Sequence, residues 1–165
     1  MSVSPKQSRS SSKAVGRILK QMLVGFWFLY FALIALTNFV DLMGEAGVVD
    51  WTFLDSNNQD YLEEVIAVYD LGSGIATALL AGAFAIEAAA ALLFARAFLT
   101  LRAGGGGREA LVAIAWACGV WGAFLVAVEV FVAYSSASVF RELFMLTIAT
   151  GIALVVIPDE AGSKA

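Results

Sequence analysis

The chain has no histidine, a single cysteine and two prolines, and only 15% of its 165 residues are charged. Without His it lacks the commonest metal ligand and the usual proton shuttle near neutral pH. His-ligated haem, zinc–His chemistry and Ser-His or Cys-His catalysis are thereby excluded. Cys118 lies in an apolar run and cannot form an internal disulfide. It reads as a small packing residue, because redox work needs a second thiol or a cofactor. The run Gly104 to Gly107 has no following Lys-Ser/Thr and no preceding strand, so it reads as a flexible turn and not a phosphate-binding loop. No catalytic residue, metal site, cofactor or nucleic-acid surface is expected, and the chain is not read as an enzyme.

What the sequence has in abundance is oil-soluble surface. Hydrophobic residues make up 61% of it, and mean hydropathy is +0.84. Soluble domains hold about 45–50% apolar residues, so this composition belongs to the membrane class. Four apolar runs are long enough to cross a bilayer, at about residues 22–40, 71–94, 111–133 and 139–157. The run from Leu71 to Phe94 would make a helix of about 35 Å, slightly more than a hydrocarbon core of about 30 Å.

Residues 1–20 open with a Ser-rich, basic stretch (MSVSPKQSRSSSK) and read as a disordered cytoplasmic tail. The first apolar run exceeds a typical signal-peptide core and has no small-residue cleavage site after it, so an uncleaved first span is expected. Residues 41–70 form an acidic loop carrying Asp41, Glu45, Asp50, Asp55, Asp60, Glu63, Glu64 and Asp70 with no Lys or Arg. Trp51, Phe53 and Leu54 read as a dip into the headgroups. Asp60 to Val68 has the spacing of a short surface helix. Pro158 stops the last span and residues 159–165 form a short tail.

Nine of the ten Lys and Arg fall in the N-terminal tail, the second loop or the C-terminal tail, and only Arg141 falls on the other side. The positive-inside rule then puts both termini in the cytoplasm and the acidic loop outside. With two short hairpins, the expected fold is all-α: an up-down-up-down bundle of four transmembrane helices, residues 21–158, in the cell (inner) membrane.

Polar residues inside such spans face neighbouring helices or a wet cavity. Counted at about 1.5 Å per residue from Phe94, Glu87 lies about 10 Å from the cytoplasmic edge, level with Tyr30, Cys118 and Thr150. Tyr30 and Thr150 are its expected hydrogen-bond partners, either as an interhelical pin or as part of a proton- or cation-binding group. Glu129 lies about 27 Å deep on the same count, among Asn38, Asp41, Arg141 and Glu142. These five residues are expected to form an interhelical clamp, with Arg141 donating to several carboxylate oxygens. A divalent-ion site from Asp41, Glu129 and Glu142 is opposed by Arg141 in their midst.

Small residues recur at spacing four in the second span (Gly74, Ala78, Gly82; Ala81, Ala85, Ala89) and in the third (Gly119, Gly122, Ala123). They are expected to pack those two spans together, or equally to dock a helix of another protein. The aromatic-rich first span (Phe26, Trp27, Phe28, Tyr30, Phe31) is expected to face lipid or a partner.

Asn38-Phe-Val-Asp41, Glu87, Glu129-Val-Phe-Val-Ala-Tyr134, Phe140-Arg141 and Ile157-Pro158-Asp159 together resemble a family of small bacterial four-helix proteins described as predicted small integral membrane proteins. The first loop departs from that family in lacking its His-containing segment and a later Trp-Arg pair. The resemblance implies the fold and marks Asn38, Asp41, Glu87, Glu129 and Arg141, and it implies no activity. The resulting expectation is a non-catalytic accessory or assembly subunit of a larger membrane complex, embedded in the lipid bilayer, or a homo-oligomer. The alternative is a small oligomeric proton or cation transporter or channel component using Glu87 and an outer acidic vestibule.

Overall fold

A computed structural model describes residues 5–49, 54, 56–105 and 107–158. Among these the chain is all-helical: α1 (Pro5–Glu45), α2 (Asn58–Ile66), α3 (Ser73–Arg102), α4 (Arg108–Val130) and α5 (Ala137–Val156). Short 3-10 turns follow α2 and precede α5. Four segments are long and apolar enough to cross a membrane: Ala14–Glu45, Ser73–Arg102, Arg108–Val130 and Tyr134–Val156. The chain is by this measure a multi-pass membrane protein. Trp51 and Phe53 lie outside the described residues.

Two helices outrun their apolar cores. α1 begins at Pro5, inside the segment whose composition reads as an unordered tail. Once a long apolar stretch has nucleated a helix, adding a polar turn costs little, so composition marks the lipid-soluble part and not the helix end. α3 likewise continues past Phe94 to Arg102. Its last carbonyls are satisfied from α1: Arg17 Nη2 donates to Arg102 O at 2.6 Å, and Gln21 Nε2 to Leu101 O at 3.4 Å. A cation at a helix C-terminus also meets the negative end of the helix dipole. Gly104 then takes φ +83°, and Gly105 N–H closes back on Thr100 O at 2.9 Å. This left-handed reversal ends helices at little steric cost only with glycine.

α1 packs most extensively on α3, and α4 on both α3 and α5. The α1–α3 seam matches large to small: Trp27 and Phe31 are buried together with Ala90, Ala91, Phe94 and Ala97. Gly25 permits the same approach, since a Cβ there would lie 3.3 Å from the Phe98 ring. The expectation that the α1 aromatics face lipid is therefore corrected. Trp27 and Phe31 point inward, where the Ala-rich helix leaves room, while Phe26, Leu29 and Leu33 point outward.

A stack of rings crosses all four spans. Phe94 lies 5.7 Å from Phe31, Phe31 lies 5.2 Å from Trp121, and Trp121 lies 6.5 Å from Phe140. The planes tilt by 14°, 22° and 22°, an offset-stacked geometry worth about 0.5–1.5 kcal/mol per pair beyond its buried area. α5 is further tied to α1 by Trp27 Nε1, which donates to Thr150 Oγ1 at 3.1 Å.

The expectation that the small-residue stripe packs the second and third spans together is corrected, because most of it faces outward. Gly74, Ala78, Ala81, Gly82 and Ala85 of α3 are exposed, as are Gly119 and Ala123 of α4. A Cβ built at Gly74, Gly82 or Gly119 would meet nothing within 4 Å. What α4 turns inward instead is Ala110, Ala113, Ala117, Val120 and Trp121.

Candidate functional site

A cavity of about 300 Å³ lies between the helices. α2 roofs it with Asn58, Tyr61, Leu62 and Val65, and Tyr30, Glu87 and Trp121 line it from α1, α3 and α4. Thr37 and Asn38 add polar atoms from α1, and the rest of its wall is apolar or aromatic, including Phe124, Phe131 and Phe140. Among the described residues no Lys or Arg lines it.

Glu87 is 4% exposed and its partner is Asn38, whose Nδ2 donates to Oε2 at 2.5 Å. The other carboxylate oxygen makes no hydrogen bond among the described residues. Asn38 belongs to a chain of bonds that reaches the segment between α1 and α2. Its Oδ1 accepts from Asn58 Nδ2 at 2.6 Å, and Asn58 N–H donates to Asp41 Oδ2 at 2.9 Å. Asp41 also accepts from Ser56 N–H at 3.1 Å and Ser56 Oγ at 2.6 Å. One carboxylate thus takes three donors from the segment that opens α2.

The roof is fastened on its other sides as well. Gln59 Nε2 donates to Thr77 Oγ1 on α3 at 3.1 Å. The Tyr61 hydroxyl lies 2.5 Å from Ser136 Oγ, and the Tyr69 hydroxyl donates to Val130 O, also at 2.5 Å. α2 is therefore tied to α1, α3 and the α4–α5 turn. The short surface helix expected at Asp60–Val68 exists, two residues earlier at its start, and it closes one end of the bundle.

The structure distributes the polar residues differently from the depth count. Glu87 stands fifteen residues before the end of α3 at Arg102, about 22 Å along the helix axis. The count from Phe94 placed it too near that end of the bundle, and the correction brings it level with Asn38, its hydrogen-bond partner. Thr150 is buried elsewhere, accepting from Trp27 and donating to Leu146 O at 2.9 Å. Tyr30 shares the cavity with Glu87, and its ring packs edge-on to Trp121 with centroids 6.2 Å apart.

The five residues of the expected clamp separate into two groups. Asn38 and Asp41 are buried and joined through Asn58. Glu129, Arg141 and Glu142 are exposed. Among the described residues no ion pair joins Arg141 to an acid. A 3-10 turn and a short loop intervene between α4 and α5, with Val132 at φ +57°, and the three side chains lie on the outside of the bundle. Among the described residues no three Cys, Asp or Glu side chains gather as a metal site.

Sequence reasoning missed Ser56, Asn58, Tyr61 and Trp121. A signal was present for Asn58, since Ser56-Asn57-Asn58 interrupts an otherwise acidic and apolar loop with groups able both to donate and to accept. Among the described residues Trp121 Nε1 is buried with no hydrogen-bond partner, a feature that no sequence pattern signals.

Comparison of the chain with protein-family models, with curated proteins and with solved structures finds no significant match. The functional reading accordingly rests on the geometry above.

Proposed function

We propose that the chain is a non-catalytic inner-membrane protein, an up-down-up-down bundle with both termini cytoplasmic, serving as an accessory or assembly subunit beside a larger integral membrane protein or a second copy of itself. Its kinship with the bacterial predicted small integral membrane proteins is part of the same proposal. The observation that carries the subunit reading is the outward stripe of Gly74, Ala78, Ala81, Gly82 and Ala85. Small residues gain little against fluid lipid but let another helix backbone approach closely, which is where dispersion and Cα–H contacts accumulate in membranes. The inward faces of α3 are already filled by α1 and α4, so this stripe is surplus to the fold.

Extraction of native membranes in a mild detergent tests the proposal. The expected result is a particle well above the 17.4 kDa of the chain, reduced to the free chain by Gly82→Leu. A wild-type protein that emerges only as free monomer contradicts it.

A second reading, a small oligomeric proton or cation transporter or channel component, is favoured by Glu87 in its cavity beneath an acidic helix. Flux of protons or cations into proteoliposomes, abolished by Glu87→Gln, is its expected signature. Equal flux in the variant, or none in wild type, removes it.

A further inference from the structure

We propose that the cavity beneath α2 is a binding site for a compact lipophilic organic cation, its ammonium paired with the free oxygen of Glu87 and its apolar body held against the aromatic wall. The proposal deepens the transport reading by naming its substrate class, and it rests on the same site. It requires occupancy alone, so a protein that binds without moving its ligand still satisfies it.

Four features of the site select this chemistry. The first is a buried carboxylate whose one partner among the described residues is a neutral amide: Asn38 occupies Oε2, the second oxygen makes no hydrogen bond there, and Glu87 itself lines the space. In a low-dielectric interior an unpaired carboxylate gains most from a cation brought to it. The second is the wall. Rings of Tyr30, Tyr61, Trp121, Phe124, Phe131 and Phe140 surround the space, and aromatic faces attract organic ammonium groups through their quadrupoles. The third is the sign of the approach. α2 carries Asp60, Glu63 and Glu64 with no basic residue, so the field at the roof concentrates cations and repels anions. The fourth is size, since about 300 Å³ sits at the lower end of the range for small-molecule pockets.

The same features exclude the competitors. A bare divalent ion takes six or more oxygen ligands, and this wall is mostly carbon. An anion would meet Glu87 with no Lys or Arg among the described lining residues to offset it. A purely apolar occupant, such as an acyl chain, fits the walls but leaves the Glu87 oxygen without a partner.

The test uses two probes of nearly identical shape, benzyltrimethylammonium and its neutral isostere neopentylbenzene, in which carbon replaces the charged nitrogen. Full-length protein is placed in nanodiscs of zwitterionic phosphatidylcholine, so that lipid charge attracts neither probe, and binding is read as a saturable change in intrinsic tryptophan fluorescence. The cation is expected to bind saturably and the isostere at least about tenfold more weakly, a difference of about 1.4 kcal/mol. Glu87→Gln, which keeps the size of the side chain, is expected to remove this preference. Ala83→Phe, which fills the cavity from α3, is expected to abolish binding of both, and Glu142→Gln, outside the cavity, to change neither. Equal affinity for the two probes in wild type overturns the proposal, as does saturable binding of the neutral probe alone, which would assign the cavity to an uncharged amphiphile. An undiminished preference in folded Glu87→Gln protein overturns it too. Should that variant lose its helical signal, the comparison of the two probes on wild type decides.

Discussion

Asn38 Nδ2 donates to Glu87 Oε2 at 2.5 Å, joining α1 to α3 across 49 positions of the chain. Both residues are at most 5% exposed, and the bond is the inner end of a relay that starts at Asp41 near the C-terminal end of α1 and passes through Asn58. The relay couples the roof of the cavity to Glu87, the one carboxylate that lines it among the described residues.

Breaking the inner link exposes its worth. Asn38→Leu removes the donor to Glu87 and the acceptor for Asn58 together, leaving a buried carboxylate unsatisfied. The expected loss is about 1–3 kcal/mol, measured by reversible unfolding in detergent. The double variant Asn38→Leu/Glu87→Leu should lose less than the two single variants added together, because the second change removes the orphan left by the first. Strict additivity would mean that the two groups do not interact.

The outer link holds α2. Asp41→Ala deletes the acceptor of three hydrogen bonds from Ser56 and Asn58. Amide hydrogen exchange in residues 56–66 is expected to accelerate well before that of α3 or α4, since a segment opens locally when its tethers are few. Exchange that rises evenly through the whole chain would show that Asp41 supports the bundle and not the roof.

Trp27 offers a separate handle on α5. Trp27→Phe keeps a ring in the α1–α3 seam but loses the bond to Thr150, and about 1 kcal/mol of stability is expected to go with it. Thr150→Val should match that loss, and the two changes together should cost little more than either alone. A double variant as costly as both single changes added together would rule out the bond as the source.

Val132 is β-branched and exposed, yet holds φ +57° in the α4–α5 turn. Such residues rarely adopt the left-handed region, at a cost of about 1–3 kcal/mol. Val132→Gly is therefore expected to raise the unfolding temperature in detergent, against the usual direction for a glycine substitution. A fall would show that the flexibility gained by the unfolded chain outweighs the relief of strain.

How far the sequence could be followed depends on what each residue signals locally. The four spans were legible because hydropathy over twenty residues is a property of composition alone. Glu87, Asn38 and Asp41 stood out because polar groups are conspicuous in such runs. Their pairing was not legible, because helix ends were inferred from the apolar edge at Phe94, whereas α3 runs on through Arg96 to Arg102. An offset of eight residues moves a side chain by about 12 Å, enough to assign Glu87 to the wrong layer. The inward turn of Trp27 and Phe31 was hidden for a different reason. In lipid, core and surface are both apolar, so hydrophobicity does not tell which face of a helix is buried. Complementarity of size does, but only once it is known that the alanines of α3 lie opposite.

Disulfide trapping of Asn38→Cys with Glu87→Cys, in a Cys118→Ser background and in native membranes, measures the central relationship directly. Rapid, near-complete cross-linking is expected for that pair, and none for Asn38→Cys with Glu129→Cys. Cross-linking of the second pair and not the first would contradict the account, because Asn38 would then belong to the layer of Glu129 and the cavity would lose its anchored carboxylate.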